Sequence, residues 1–152
     1  MDTLGPGIYD VLITDANGCD TTIFLELIEP PVILVPGDIL EYDGGFNVSC
    51  YGECDGEITI APAGGVGPLE VNWSAPLSTS DLTVDELCAG SYSVSVMDSI
   101  GCEVITSFDI LQPDSLIFNP VITPILCAGG TGVIDANISG GSGNYTTITW
   151  TP

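Results

Sequence analysis

Two stretches of the chain alternate apolar and polar residues to the same design. In the later one, Gly90 to Cys102, Tyr92, Val94 and Val96 alternate with Ser91, Ser93 and Ser95. In the earlier one, Gly7 to Cys19, Tyr9, Val11 and Ile13 hold the same places, 83 positions upstream. Period-two alternation puts one face of a strand in a core and the other in water. A second alternating run follows each: Cys102, Val104, Thr106, Phe108 and Ile110 in one copy, Cys19, Thr21, Ile23, Leu25 and Leu27 in the other. Between the runs lies a turn, Asp15-Ala16-Asn17-Gly18 in the first copy. Its Asn-Gly pair predicts a tight hairpin with positive φ at both residues. Pro30 and Pro113 close the two copies, because proline cannot continue a ladder.

A second block also recurs. Cys50-Tyr51-Gly52-Glu53-Cys54-Asp55-Gly56 leads to Gly64-Gly65-Val66-Gly67-Pro68 and Trp73. Later, Cys127-Ala128-Gly129-Gly130-Thr131-Gly132 leads to Gly140-Gly141-Ser142-Gly143-Asn144 and Trp150. Ile58 and Ile60 predict an inward strand face, as do Ile134, Ala136 and Ile138. Leu69, Val71 and Trp73 predict the next strand. The stretch Ser80 to Leu87 reads as one helical turn or as a strand with a loop.

Fixed-period self-similarity marks a repeat architecture. Residues 1–30 are the back part of one unit, 31–113 a whole unit and 114–152 the front part of a third, so the chain reads as an excerpt from a longer array. The predicted fold is all-β: tandem immunoglobulin-like β-sandwich modules, one complete and two partial, with about seven short strands per unit. Tyr92, after Ala89-Gly90-Ser91, suits a tyrosine corner.

Charge narrows the function. The chain has 21 acidic residues, no Lys, Arg or His, and a net charge of −21. Such a chain repels nucleic acid and anionic lipid. It has no imidazole for proton shuttling and no cation to clamp a phosphate. Nucleic-acid binding, direct membrane insertion and most enzyme chemistry are therefore not expected. The pair Asp85-Glu86 reads as a solvated loop rather than an acid–base couple. The partners left are neighbouring repeats, surface glycans, further copies of the chain, and cations. Calcium could use Asp15, Asn17 and Asp20, although these residue types also suit a turn.

Six cysteines accompany this composition. Only Cys50 and Cys54 are close in sequence, which disfavours zinc and predicts disulfides in an oxidising compartment. Four cysteines of the whole unit allow three pairings. The third unit keeps Cys127 but has Thr131 in place of the second cysteine. The first keeps Cys19 but has Gly5 in place of Cys88. Cysteines lost together should be partners, which pairs Cys50 with Cys102 and Cys54 with Cys88. Cys19 and Cys127 are then unpaired because their partners lie beyond the ends.

The pattern resembles the SprB repeat of gliding-bacterium surface adhesins. The residues that carry the resemblance are Asn47 to Gly56, Gly64 to Pro68, Trp73-Ser74, Leu87 to Val94, and Asp15 to Cys19. Ser99-Ile100 replaces Ala-Asn in the second turn. The resemblance implies a long, repetitive, extracellular protein of Bacteroidota, exported by type IX secretion and used in adhesion or gliding. The leading expectation is a structural module, a disulfide-stapled sandwich strung in a stalk or filament; a carbohydrate-binding module, using loops Gly64–Gly67 and Gly140–Gly143, is the alternative. O-linked sugars in such proteins fall on Asp-Ser/Thr triplets. Thr3, Thr21, Ser99 and Ser115 are the matching candidates. Four Asn-x-Ser/Thr triplets, at Asn47, Asn72, Asn137 and Asn144, read as chance.

Overall fold

A computed structural model describes residues 3–151 of the chain. Among them every regular element is a strand. The first unit contributes β1 (Gly7–Thr14) and β2 (Asp20–Leu27), an antiparallel hairpin running from Gly7↔Leu27 to Thr14↔Asp20. The middle unit holds β3 (Gly37–Ile39), β4 (Gly56–Ile60), β5 (Glu70–Trp73), β6 (Thr83–Leu87), β7 (Gly90–Met97) and β8 (Glu103–Ile110). The third holds β9 (Asp114–Phe118), β10 (Val121–Thr123), β11 (Val133–Asp135) and β12 (Ile138–Gly141).

The middle unit forms two three-stranded sheets, β3-β4-β6 and β5-β7-β8. Alternation decides which side chains meet. Ile58 and Ile60 of β4 and Val84 and Leu87 of β6 turn inward from one sheet. Val71 and Trp73 of β5, Val94 and Val96 of β7, and Ile110 of β8 turn inward from the other. With Ile33 and Val48 they form one buried cluster, the arrangement of a small β-sandwich. Among the described residues the buried hydrophobic core runs from Ile33 to Ile110, and Pro113 is buried just beyond it. The Trp73 indole N–H donates to the Asp81 carbonyl at 2.9 Å, so the largest core side chain leaves no orphan donor. The stretch Ser80 to Leu87 resolves as a short loop followed by a strand, Thr83–Leu87. β6 accommodates an irregularity opposite Gly56–Ile58, with Glu86 at φ 53°.

The flanking units repeat these pairings. β1–β2 has the register of β7–β8, where Gly90 faces Ile110. The Leu34↔Ala63 bridge of the middle unit recurs as Ile117↔Ser139, and Ile39↔Ile58 recurs as Ile122↔Ile134. Their apolar faces are uncovered within the chain: Val11 and Ile13 are 40% and 52% exposed, where Val94 and Val96 are fully buried.

Gly64 fixes how each front half closes. Its φ is +89°, and a Cβ there would lie 1.9 Å from the Val32 carbonyl oxygen. Gly140 repeats this, with φ +83° and a Cβ position 2.0 Å from the Ser115 oxygen. Both places demand glycine, because the clash is with backbone. Gly64→Ala should destabilise the middle unit by about 2–4 kcal/mol. Ile58→Ala should cost about 2–5 kcal/mol, whereas Ile105→Ala, on the wet face of β8, should change stability by less than about 1 kcal/mol. Urea unfolding followed by Trp73 fluorescence checks all three; equal effects of the two isoleucine changes would contradict the assigned core.

Candidate functional site

The residues with the most connected polar chemistry lie at the two ends of the middle unit. At the end where the chain arrives, here the leading end, stands the turn Asp98 to Cys102. Asp98 is 5% exposed yet charged. One carboxylate oxygen, Oδ1, accepts the N–H groups of Ile100 at 3.1 Å and Cys102 at 2.9 Å. The other, Oδ2, accepts the Val66 N–H at 3.0 Å, from the glycine-rich loop of the front half. Val66 returns the contact, its carbonyl accepting the Ser99 N–H at 3.1 Å and the Ser99 hydroxyl at 2.6 Å. Gly65 donates its N–H to the Pro31 carbonyl at 3.1 Å. The start of the unit, the loop and the turn are thereby one hydrogen-bonded block. Burial alone would raise the Asp98 pKa. The backbone donors of Cys102, Val66, Ile100 and Gly101 outweigh it and hold the carboxyl below its ordinary value.

The first unit builds the same turn with different neighbours. Asp15 Oδ1 accepts Asn17 N–H at 2.9 Å and Cys19 N–H at 2.8 Å. Only the glycine is left-handed in each copy, Gly18 at φ 85° and Gly101 at φ 88°. The expected Asn-Gly hairpin with two positive φ values is therefore corrected. The turn is held by its aspartate and relaxed by one glycine, so Ser99-Ile100 serves as well as Ala16-Asn17. Asp15 Oδ1 is engaged with its own backbone, and no group of three or more His, Cys, Asp or Glu among the described residues is placed to hold a metal ion.

At the opposite, trailing end the chain leaves through Leu111, Gln112 and Pro113. Asn47 is buried there. Its Oδ1 accepts Leu111 N–H at 3.0 Å, its own N–H donates to the Leu111 carbonyl at 2.8 Å, and its Nδ2 donates to the Leu40 carbonyl at 2.9 Å. Asn47 is thus a structural bridge and not a free acceptor for a sugar. Gly52 N–H donates to Gln112 Oε1 at 2.9 Å, and Ser49 N–H donates to Asp55 Oδ1 at 3.0 Å. Hydrogen bonds from Ser49 hold the Asp55 carboxyl below its ordinary range. Burial, followed by the charge of Asp55, raises the phenol of Tyr42, whose OH donates to the Asp55 carbonyl at 3.2 Å.

Cys54 and Cys88 are joined by a disulfide. Cys19, Cys50, Cys102 and Cys127 are free and exposed. The expected bond between Cys50 and Cys102 within one unit is not formed, and the fold forbids it. Cys102 sits at the leading end, before β8. Cys50 sits in the loop tied to Gln112, after β8. From Cys102 to Leu111 the chain runs extended for nine residues, or about 30 Å. A disulfide needs Cα atoms within about 7 Å.

The remaining sequence candidates are dispersed. Tyr92 donates its OH to the Cys88 carbonyl at 2.9 Å, and Tyr9 repeats this to Gly5 at 2.6 Å. Thr3, Thr21 and Ser115 are exposed. Asp2, of the triplet at Thr3, lies outside the described residues. Ser99 has its hydroxyl committed to Val66. Asp85 and Glu86 are exposed neighbours on β6. Loop Gly64–Gly67 is used internally, to seat the Asp98 turn on the start of the unit.

The SprB repeat family model matches two regions of the chain, residues 47–75 and 119–152. No curated protein and no solved structure matches the chain.

Asp98→Asn should cost about 1–3 kcal/mol, because an amide places a donor against the donor of Val66. In the parent the depressed pKa gives stability that is full above the unfolded value of about 3.9 and is lost as pH falls through the lower folded value. The variant should lose that acid-side step, measured by urea unfolding between pH 2 and pH 7 (a range of roughly five units around the carboxylate pKa). Replacing Cys54 and Cys88 together by serine should cost about 3–4 kcal/mol for a loop of 34 residues. A stability unchanged by reductant in the parent would contradict that value.

Proposed function

We infer from the two SprB repeat regions that the chain is a section of a repeat array in a cell-surface adhesin, and that each unit serves as a spacer in an extracellular stalk. One observation carries this reading. The middle unit receives the chain at one end and releases it at the other, and the flanking segments repeat its strand pairings in the same order. Units of that kind add length in one direction. The acidic, cation-free surface keeps neighbouring arrays apart and offers no docking for anionic polymers. Export by type IX secretion and a part in adhesion or gliding follow from the SprB resemblance. Sugars on Thr3, Thr21 and Ser115 would sit on open surface; an intact mass of native material above that of the bare sequence supports them.

The stalk reading is tested on intact producing cells with an antibody raised against residues 31–113. Gold label standing away from the outer surface is expected. Trypsin added outside should leave this stretch uncut, because it contains no Lys or Arg. Label that appears only after permeabilisation overturns the reading.

A further inference from the structure

Cys50 and Cys102 lie at opposite ends of one unit, and an array sets the trailing end of each unit against the leading end of the next. The chain contains that junction in part. Gly140 closes on Ser115 as Gly64 closes on Val32, with matching Cβ contacts of 2.0 and 1.9 Å. Gly141 and Ser142 therefore stand where Gly65 and Val66 stand in the middle unit. Val66 is the seat of the cysteine-bearing turn, through its bonds to Asp98 and Ser99. Ser142 is accordingly the seat for the corresponding turn of the third unit. Ser142 also shares a cleft of about 420 Å³ with Cys50, Tyr51, Gly141 and Asn144. The Cys50 side of that cleft is fixed by the Ser49–Asp55 and Gly52–Gln112 hydrogen bonds and by Cys54–Cys88.

We propose that Cys50 forms a disulfide with the Cys102-type cysteine of the following repeat, so that consecutive units are covalently clamped across their junction. The same rule gives every free thiol of the chain a partner in a neighbouring unit. Cys102 and Cys19 take the Cys50-type cysteine of the unit before theirs, and Cys127 takes the Cys102-type cysteine of the unit after its own. It also accounts for the separate distribution of the two cysteine pairs. Each of the three units carries at least one junction cysteine, while the positions of the internal bond that the flanking units contain are taken by Gly5 and Thr131.

The bond forms by thiol–disulfide exchange with a small-molecule or protein disulfide as oxidant. The Cys50 thiolate attacks one sulfur of the oxidant and expels the other as a thiolate. The incoming cysteine thiolate then attacks the Cys50 sulfur and expels the second half. Two protons leave the cysteines, and two electrons end on the oxidant, now two thiols.

The proposal rests on the chain being part of a repeat array, not on adhesion. Its test uses the full chain, lengthened after Trp150 by residues 74–113, which completes the third unit at the Trp73 equivalence; the added copy carries Cys88→Ser and, at the exposed turn, Ile100→Val, which gives its Cys102 peptide a mass distinct from that of the native Cys102. The protein is oxidised with glutathione disulfide, digested without reduction at Glu and Asp, and mapped by mass spectrometry. Cleavage at Glu53, Glu86 and Asp98 separates the four cysteines of the middle unit. The expected dominant form of Cys50 is a cross-link to the added Cys102, abolished by Cys50→Ser, with Cys54–Cys88 present in the same map. Cys54–Cys88 formed while Cys50 and the added Cys102 remain free overturns the proposal. Should Cys54–Cys88 also fail to form, mapping of the native protein, extracted with its thiols alkylated, decides: a cross-link between units supports the clamp, and alkylated thiols overturn it. Surface labelling plays no part in this readout, so the clamp and the stalk reading can fail independently.

Discussion

The Asp98 carboxylate is the constraint on which the middle unit depends. It joins three pieces distant in sequence: its own turn, the Val66 loop and, through Gly65, the start of the unit at Pro31. A protein with no Lys, Arg or His has no ion pairs with which to do this. Backbone N–H groups are the donors left. A buried carboxylate surrounded by several of them keeps its charge, and the hydrogen bonds to it are stronger than neutral ones. Asn47 plays the corresponding part at the trailing end with a neutral side chain, binding Leu40 and both polar atoms of the Leu111 backbone. The two ends are thus closed by side chain to main chain contacts, and the core between them by aliphatic alternation.

Local pattern made most of the strands legible. The alternation in Tyr92 to Val96 and in Val104 to Ile110 predicts the β7–β8 hairpin, and Ile58, Ile60, Val71 and Trp73 appear at the buried positions that their spacing implies. The 83-residue self-similarity predicts equivalent registers in separate units, and they occur. Ser80 to Leu87 was ambiguous because a short apolar run fits either period; pairing of β6 with β4 decides for a strand.

What sequence did not disclose are the contacts made at long separation. Asp98 looks like an ordinary turn residue, and nothing in its neighbourhood announces the bond to Val66, 32 positions away. Asn47 looks like a glycosylation triplet, yet its amide is consumed by the fold. The cysteines teach a sharper point. Loss or retention of cysteines together identifies which types are coupled, but a repeat makes a partner in the same unit and a partner in the next unit indistinguishable. Only the length of β8, which holds Cys102 and Cys50 at opposite ends, separates the two.

The placement of β8 also has a mechanical consequence. The chain leaves the middle unit at the end of β8, beside the unit's trailing face, and arrives at the opposite one. Tension transmitted along such a series runs parallel to β8, while its ladder to β7, from Gly90↔Ile110 to Met97↔Glu103, lies across that direction. The hydrogen bonds are then loaded together, in shear, instead of being peeled apart one at a time from a free edge.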